Sequence, residues 1–359
     1  MTSSLVGSEM CIRDRTLSGQ QEPRLRWKRS LATTDAVLSE ALGEIYVKKY
    51  FPQESKNRML KLVANLQKAL QQHIEHLDWM SEKTKARALE KLAAITVKIG
   101  YPDKWRDYTA LEISPEKSYW ENLKNASKFE TAYMLEKVGK EVDKSIWYMS
   151  PQTVNAYYNP TTNEICFPAG ILQPPFFYAD ADDAVNYGAI GVVIGHEMTH
   201  GFDDMGRQFD KDGNLSDWWT SEDTRQFNLR ADILADQYSS IIVIDTVHAD
   251  GRFTLGENIA DQGGLRVAYT AFENATEGEK LPIIDGFTPE QRFYLAYANL
   301  WASNIRDEEI LRRTKTDPHS LGKWRVNAAL RNIETFYQAF GITPEQPMYM
   351  APEDRVVIW

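Results

Sequence analysis

The chain has 359 residues, 26% charged, 43% hydrophobic and 11% aromatic, with 41 basic against 51 acidic side chains and a formal charge of −10. That length supports one large domain or two with a substantial core, and the composition excludes disordered, collagenous and low-complexity chains. No basic stripe marks a nucleic-acid or anionic-membrane partner. Two cysteines cannot build a disulfide framework, and the run Gly188 to Gly195 is far short of the roughly 20 apolar residues that span a bilayer.

Met1 to Arg15 (MTSSLVGSEMCIRDR) has no signal-peptide core, strand alternation or helical stripe. Its string LVGSEMCIRDR resembles translated sequencing-adapter sequence, so residues 1–15 read as a non-native leader and Cys166 as the one genuine cysteine. Leu17 to about Tyr101 reads as helical throughout. Ala36 to Tyr50 is expected as one helix. A second, from near Ser55, places Met59, Val63, Leu66, Leu70, Ile74 and Leu77 on one stripe. A third follows Ser81 with Ala86, Leu89, Leu92 and Ala93 as its apolar face, and Gly100-Tyr101-Pro102 breaks the run. His73 and His76, three apart, lack a further ligand cluster and read as a solvated edge.

A helix is expected near Pro115 to Lys140, then strands and turns over Ser145 to Pro175, where Tyr, Ile, Phe and Val alternate with Pro, Asn and Gly. Asp182 to about Asp203 returns to helix, and its apolar middle is expected to be buried. Asp210 to Asn214 resembles the front of a calcium loop, but Ser221 stands where that loop needs a glutamate, so it reads as a tight turn. Further helices are expected at Ser221 to Tyr238, Asn258 to Glu273, Pro289 to Trp301 and Pro318 to Phe340.

Chemistry concentrates in His196-Glu197-Met198-Thr199-His200. Four residues advance a helix by about 400°, so the two histidines stack on one face and can offer two nitrogens to one ion. Glu197 lies one residue round, where a carboxylate can take a proton from water held by a metal. Burying these groups without an ion would be costly. The short string alone is moderately specific and needs a third ligand, which Gly256-Glu257-Asn258-Ile259-Ala260-Asp261 supplies. Glu257 and Asp261 face one way on a helix; the first can ligate and the second can accept a ligand histidine's outer N–H.

HEMTHGFDD together with GENIADQGG resembles the neprilysin and PepO-type zinc metalloendopeptidases of the M13 family. Asn155-Ala-Tyr-Tyr158, Phe167 to Phe177, Asp210 to Trp219, Thr316-Asp-Pro-His319 and Asp354 to Trp359 carry the resemblance over essentially all of residues 16 to 359. It implies a mainly α (α+β) chain with a zincin-type catalytic domain: residues 16–104 the C-terminal part of a helical lid domain, residues 105–359 an incomplete catalytic domain. It implies one Zn2+ on His196, His200 and Glu257, Glu197 as catalytic base, and Asp261 and Asp203 as carboxylates behind the ligands. It further implies that His319, oriented by Asp317, and Arg325 stabilise the oxyanion, and that Asn155 and Ala156 bind substrate backbone. Ile171, Phe176, Val192, Val193 and Trp301 would form the pocket for an apolar residue after the cut.

Three departures accompany it. The resemblance begins mid-family, without the N-terminal half and its substrate-reading arginines. The C-terminal cysteine motif of animal members is missing, which favours a bacterial, disulfide-free branch in the cell envelope or periplasm, with a cytoplasmic place also open. No leader or anchor can be read. The expected function is an oligopeptide endopeptidase. The competing readings are a zinc-binding but incompetent fragment and a gluzincin aminopeptidase, the latter disfavoured because Glu257 lies too far beyond His200. The all-round apolar zinc helix is expected to have packed one side against the missing half.

Overall fold

The computed structural model describes residues 16–359; the leader expected over residues 1–15 lies outside them. The chain opens with helices α1 (Arg26–Val37), α2 (Ser39–Tyr50), α3 (Gln53–His76) and α4 (Glu82–Ala93), followed by strand β1 (Thr96–Gly100) and helix α5 (Tyr119–Leu135). Strands β2 (Tyr157–Asn159) and β3 (Glu164–Pro168) lead to the short helix α6 (Asp183–Asn186), a π-turn over Tyr187–Gly191, and α7 (Val192–Thr199). Then come α8 (Ser221–Ser239), the hairpin β4 (Ile242–Ile244) and β5 (Val247–His248), and α9 (Leu255–Ala275). Helices α10 (Pro289–Leu300), α11 (Asp307–Thr316), α12 (Gly322–Leu330) and α13 (Glu334–Phe340) complete the fold, which is mainly helical as expected.

The stripe expected on α3 is buried along its length, from Met59 to Leu77, because it packs against α4 and α9. The start of α4 is set by Ser81, whose hydroxyl accepts the Thr84 N–H. Asp223, buried at the start of α8, accepts from the Ser81 N–H at 2.7 Å and from the hydroxyls of Ser81, Thr84 and Thr220. One carboxylate thus holds the starts of α4 and α8 together.

Several expectations need correction. Ala36 to Tyr50 is not one helix: Leu38 leaves helical geometry (ψ 35°) between α1 and α2. The buried face of α4 is Thr84, Ala88, Lys91 and Leu92, while Ala86 and Ala93 are exposed; a satisfied ammonium occupies the position where apolar patterning alone expects alanine. Thr96–Gly100 is a strand rather than helix, because it pairs in parallel with β3 from Thr96↔Glu164 to Gly100↔Pro168. Gly100 closes it at φ +80°, where a Cβ would strike the Phe51 ring. Pro318 to Phe340 splits into α12 and α13, and at the break Asn332 accepts the Val356 N–H at 2.9 Å. Helix α11 and the β4–β5 hairpin were not anticipated.

The sheet order is β1-β3-β2, leaving β2 at an edge with Asn155 and Ala156 immediately before it. One apolar core runs from Val47 through α3, α7 and α9 to Trp359, whose ring meets Trp79 at 5.9 Å and Phe202 at 5.5 Å. The expectation that α7 needs a partner beyond this chain is overturned: Val192, Ile194 and Met198 are buried by the chain's own helices, α9 foremost.

Candidate metal centre

Helices α7 and α9 cross with backbones in contact. A Cβ on Gly264 would lie 2.6 Å from the Val192 carbonyl and 2.7 Å from the His196 nitrogen, and one on Gly195 would lie 2.9 Å from the Gly264 Cα. Only glycine permits this approach, and it carries Glu257 and Asp261, one turn apart on α9, to the histidine face of α7. His196 and His200 stack as the four-residue spacing requires, their rings edge-to-face with centroids 4.5 Å apart.

The two imidazoles are held from behind by carboxylates. His196 Nδ1 lies 2.9 Å from Asp261 Oδ1, and His200 Nδ1 lies 2.6 Å from Asp203 Oδ2. Ionised carboxylates only accept, so both Nδ1 atoms donate, and in the neutral, metal-binding form both Nε2 atoms present lone pairs. Those atoms are 3.0 Å apart, and Glu257 Oε2 lies 3.2 Å from the first and 3.6 Å from the second. Glu257 Oε2 is buried without a hydrogen-bond partner. Three acceptors converging without a donor are what a cation satisfies, and two imidazoles with one carboxylate match zinc's preference. Among the described residues His196, His200 and Glu257 form the cluster able to hold a metal.

Burial and the charge of His200 pull the His196 imidazole down, and Asp261 and Glu257 return it above its ordinary value. Burial likewise opposes charge on His200, but Asp203 and Glu257 raise it well above that value. Burial alone would raise Glu257; the two histidines instead hold it far below the usual carboxylate range. For Asp261, burial is outweighed by Arg325 and His196, and its carboxyl is lowered.

Around this centre lies a cavity of about 600 Å³. Glu197, only 7% exposed, lines it beside the histidines. His319 enters from the segment before α12: its Nδ1 sits 2.8 Å from Asp317 Oδ1, which leaves Nε2 facing Glu257 Oε2 at 3.2 Å. Arg325 is buried, donates through Nε (2.8 Å) and Nη2 (2.5 Å) to Asp261, and stacks over Trp301 at 3.9 Å. Asn155, Ala156, Ile171, Phe176, Val192, Val193 and Trp301 all line the same cavity.

Sequence reasoning missed several of its walls. Val154, Met205 and Phe253 contribute exposed apolar surface, and Asp204 a carboxyl that burial, reinforced by the charge of Asp203, lifts to about 6. Asp204 directly follows Asp203 in the HEMTHGFDD string, which was its available signal. The bidentate Asp261–Arg325 pair had none, since the partners are distant in sequence. His76 lies on the solvated edge expected for it, but His73 is half-buried, its Nε2 2.9 Å from Thr270 Oγ1. Asp210 to Asn214 is a turn, with Asp210 Oδ1 accepting the Asp212 and Asn214 N–H groups.

Comparison with known proteins places these features in context. Family models described as peptidase family M13 match residues 155–356 and, for the family's N-terminal part, residues 3–102. Neprilysin-11 of Caenorhabditis elegans is 37% identical over 96% of the chain and 42% of its own length. The crystal structure of Mycobacterium tuberculosis zinc metalloprotease ZMP1 in complex with inhibitor superposes with a TM-score of 0.96 at 44% identity, over 100% of this chain and 55% of that one. PepO from Lactobacillus rhamnosis gives a TM-score of 0.90 at 32% identity, over 96% and 54%. The chain spans about half the length of the relatives it matches.

Proposed function

Since the chain belongs to peptidase family M13, we propose that it is the catalytic part, with adjoining helices, of a zinc-dependent endopeptidase acting on oligopeptides. The observation that carries this reading is the convergence of His196 Nε2, His200 Nε2 and Glu257 Oε2, with Glu197 on the wall of the same cavity. His196, His200 and Glu257 would hold zinc, and the chemistry it would supply there is polarisation of a carbonyl and acidification of water.

The chain's own groups do the rest. Glu197 accepts the proton of the attacking water and passes it to the leaving amine. Asp261 and Asp203 keep the histidine Nδ1 protons engaged, which fixes the ring orientations. His319, whose Nδ1 is held by Asp317 and which donates through Nε2 as an imidazolium, and Arg325, steadied by Asp261, direct N–H groups at the oxyanion as it forms. Asn155 and Ala156, leading into the edge strand, pair with the substrate backbone as an added strand does. Ile171, Phe176, Val192, Val193 and Trp301 take an apolar side chain after the cut. We assign residues 105–359 to an incomplete catalytic domain and residues 16–104 to the C-terminal part of the helical lid, a segment that shares its core and the β1–β3 ladder with that domain. Among the described residues no helix is long and apolar enough to cross a membrane; we place the protein at the cell envelope, in keeping with a relative named membrane metallo-endopeptidase-like 1.

An internally quenched peptide with an apolar residue after the cut, assayed with chelator and with zinc restored, tests this reading. Cleavage that follows zinc supports it. Zinc binding without cleavage supports the second reading, a metal-binding chain without a competent cleft, which the half-length match favours. Failure to bind zinc ends both.

A further inference from the structure

Lys91 lies on the buried face of α4, 1% exposed. Its Nζ lies 2.7 Å from each of three backbone carbonyl oxygens, those of Gly201, Gly206 and Phe209. All three belong to the loop that leaves α7 directly after His200. The rings of Tyr158, Phe202 and Trp218 surround the same nitrogen at 5.9, 5.6 and 6.0 Å. Three carbonyls and an aromatic wall form the cage a monovalent cation would occupy, here filled by a cation attached to the chain. Burial pulls Lys91 down to about 7, opposed by Asp203 and Asp210. Three acceptors at hydrogen-bond distance need three N–H donors, which the ammonium has and the neutral amine lacks.

The caged loop holds the orientation of a metal ligand. Asp203, inside it, bonds His200 through Oδ2 at 2.6 Å and accepts the Met205 and Gly206 N–H groups through Oδ1 at 2.9 and 2.6 Å. Gly206 packs so tightly that a Cβ would fall 1.7 Å from the His200 carbonyl oxygen. Gly206 thus touches Asp203 through its N–H and Lys91 through its carbonyl. Asn163 closes the other side, donating to the carbonyls of Lys91 and Lys211 at 3.1 and 3.2 Å.

We propose that Lys91 is a positioning residue for the metal centre: a built-in alkylammonium that gathers the 201–209 loop and so aims Asp203 and His200. The proposal rests on the reading that His196, His200 and Glu257 bind zinc. It also joins the helical segment matched by the family's N-terminal model to the catalytic segment matched by the other.

The test measures zinc affinity by chelator competition, and the visible spectrum of the cobalt-substituted protein, in wild type, K91M and K91A. A wild-type chain that binds no zinc refutes the metal reading and this proposal with it. If wild type binds, K91M is expected to bind about tenfold more weakly, the low end for partners that orient ligands, with altered cobalt bands. K91A is expected to lose as much and to regain it with propylammonium, which replaces the missing carbons and three N–H donors. Tetramethylammonium, having no N–H, should not restore it. Unchanged affinity and spectrum in K91M overturn the proposal. A loss in K91A that propylammonium leaves in place, or that tetramethylammonium repairs equally well, overturns it too. Should K91M not fold, the two K91A measurements decide.

Discussion

Helices α7 and α5 are both rich in apolar residues, yet one is sealed and the other open. On α7, Val192, Ile194 and Met198 are at most 1% exposed. On α5, Tyr119 and Trp120 are each 66% exposed and Leu135 is 64%, with Ala126 its only buried residue; α1, with Trp27 and Leu31 exposed, buries none. Apolar content does not separate them. What α7 has is a partner whose glycines let two backbones touch, so small residues and not large ones place the ligands. Polar contacts differ too: beside α7, His196 pairs with Asp261 and His200 with Asp203, whereas α5 is held by its Ser118–Glu121 capping box and by Arg106, which pairs with Glu130 at 2.8 Å and stacks over Phe129 and Tyr133.

The largest effect should come from the sealed region's chemistry. Glu197→Gln is expected to lower peptidase activity about 10³-fold or more while zinc stays bound, since only the proton acceptor is lost. Glu257→Ala should instead lower zinc content, because two histidines make an incomplete site. Turnover and metal analysis on both variants check this, and wild-type turnover in E197Q would break the mechanism.

Next is the helix crossing. Gly264→Val drives a side chain into the Val192 carbonyl and His196 nitrogen, where backbone cannot yield cheaply. About 3 kcal/mol of stability should be lost, with zinc affinity falling in parallel. Chemical denaturation that finds G264V as stable as wild type would show that the contact does not position α7.

A smaller, pH-dependent effect tests the α3–α9 seam. Burial, with Arg266 nearby, pulls the His73 imidazole down to about 4. The unfolded chain takes up that proton near pH 6.5 while the folded one resists until about 4, so stability should fall as pH drops across that window. Melting temperatures from pH 7 to 4 should show a shallower acid loss in His73→Gln. The smallest effect belongs to the open helices: Trp27→Gln with Trp120→Gln should move stability by no more than about 0.5 kcal/mol per site, and light scattering should show reduced self-association.

Much of this was legible in the residues. The HEMTH spacing places two imidazoles on one helical face wherever that helix lies, and the α3 stripe from Met59 to Leu77 is periodic enough to announce its own burial. The GENIADQGG string supplied both carboxylates of α9. Helices α7 and α9, the turn at Asp210 and the start of α4 at Ser81 all follow from neighbours within a few residues.

Other features depended on partners far along the chain. Thr96–Gly100 became a strand because β3 offered it a ladder, and Lys91 turned inward because three loop carbonyls were waiting for it. Asp261 met Arg325, and His319 met Glu257, only once α9 and the segment leading into α12 had packed. The sequence by itself determined which side chains share a helix face, since helical rise and rotation are local and nearly constant. Which faces meet, which charge is sealed and which helix stays open were decided by the tertiary structure, because burial and hydrogen-bond satisfaction are properties of pairs of surfaces.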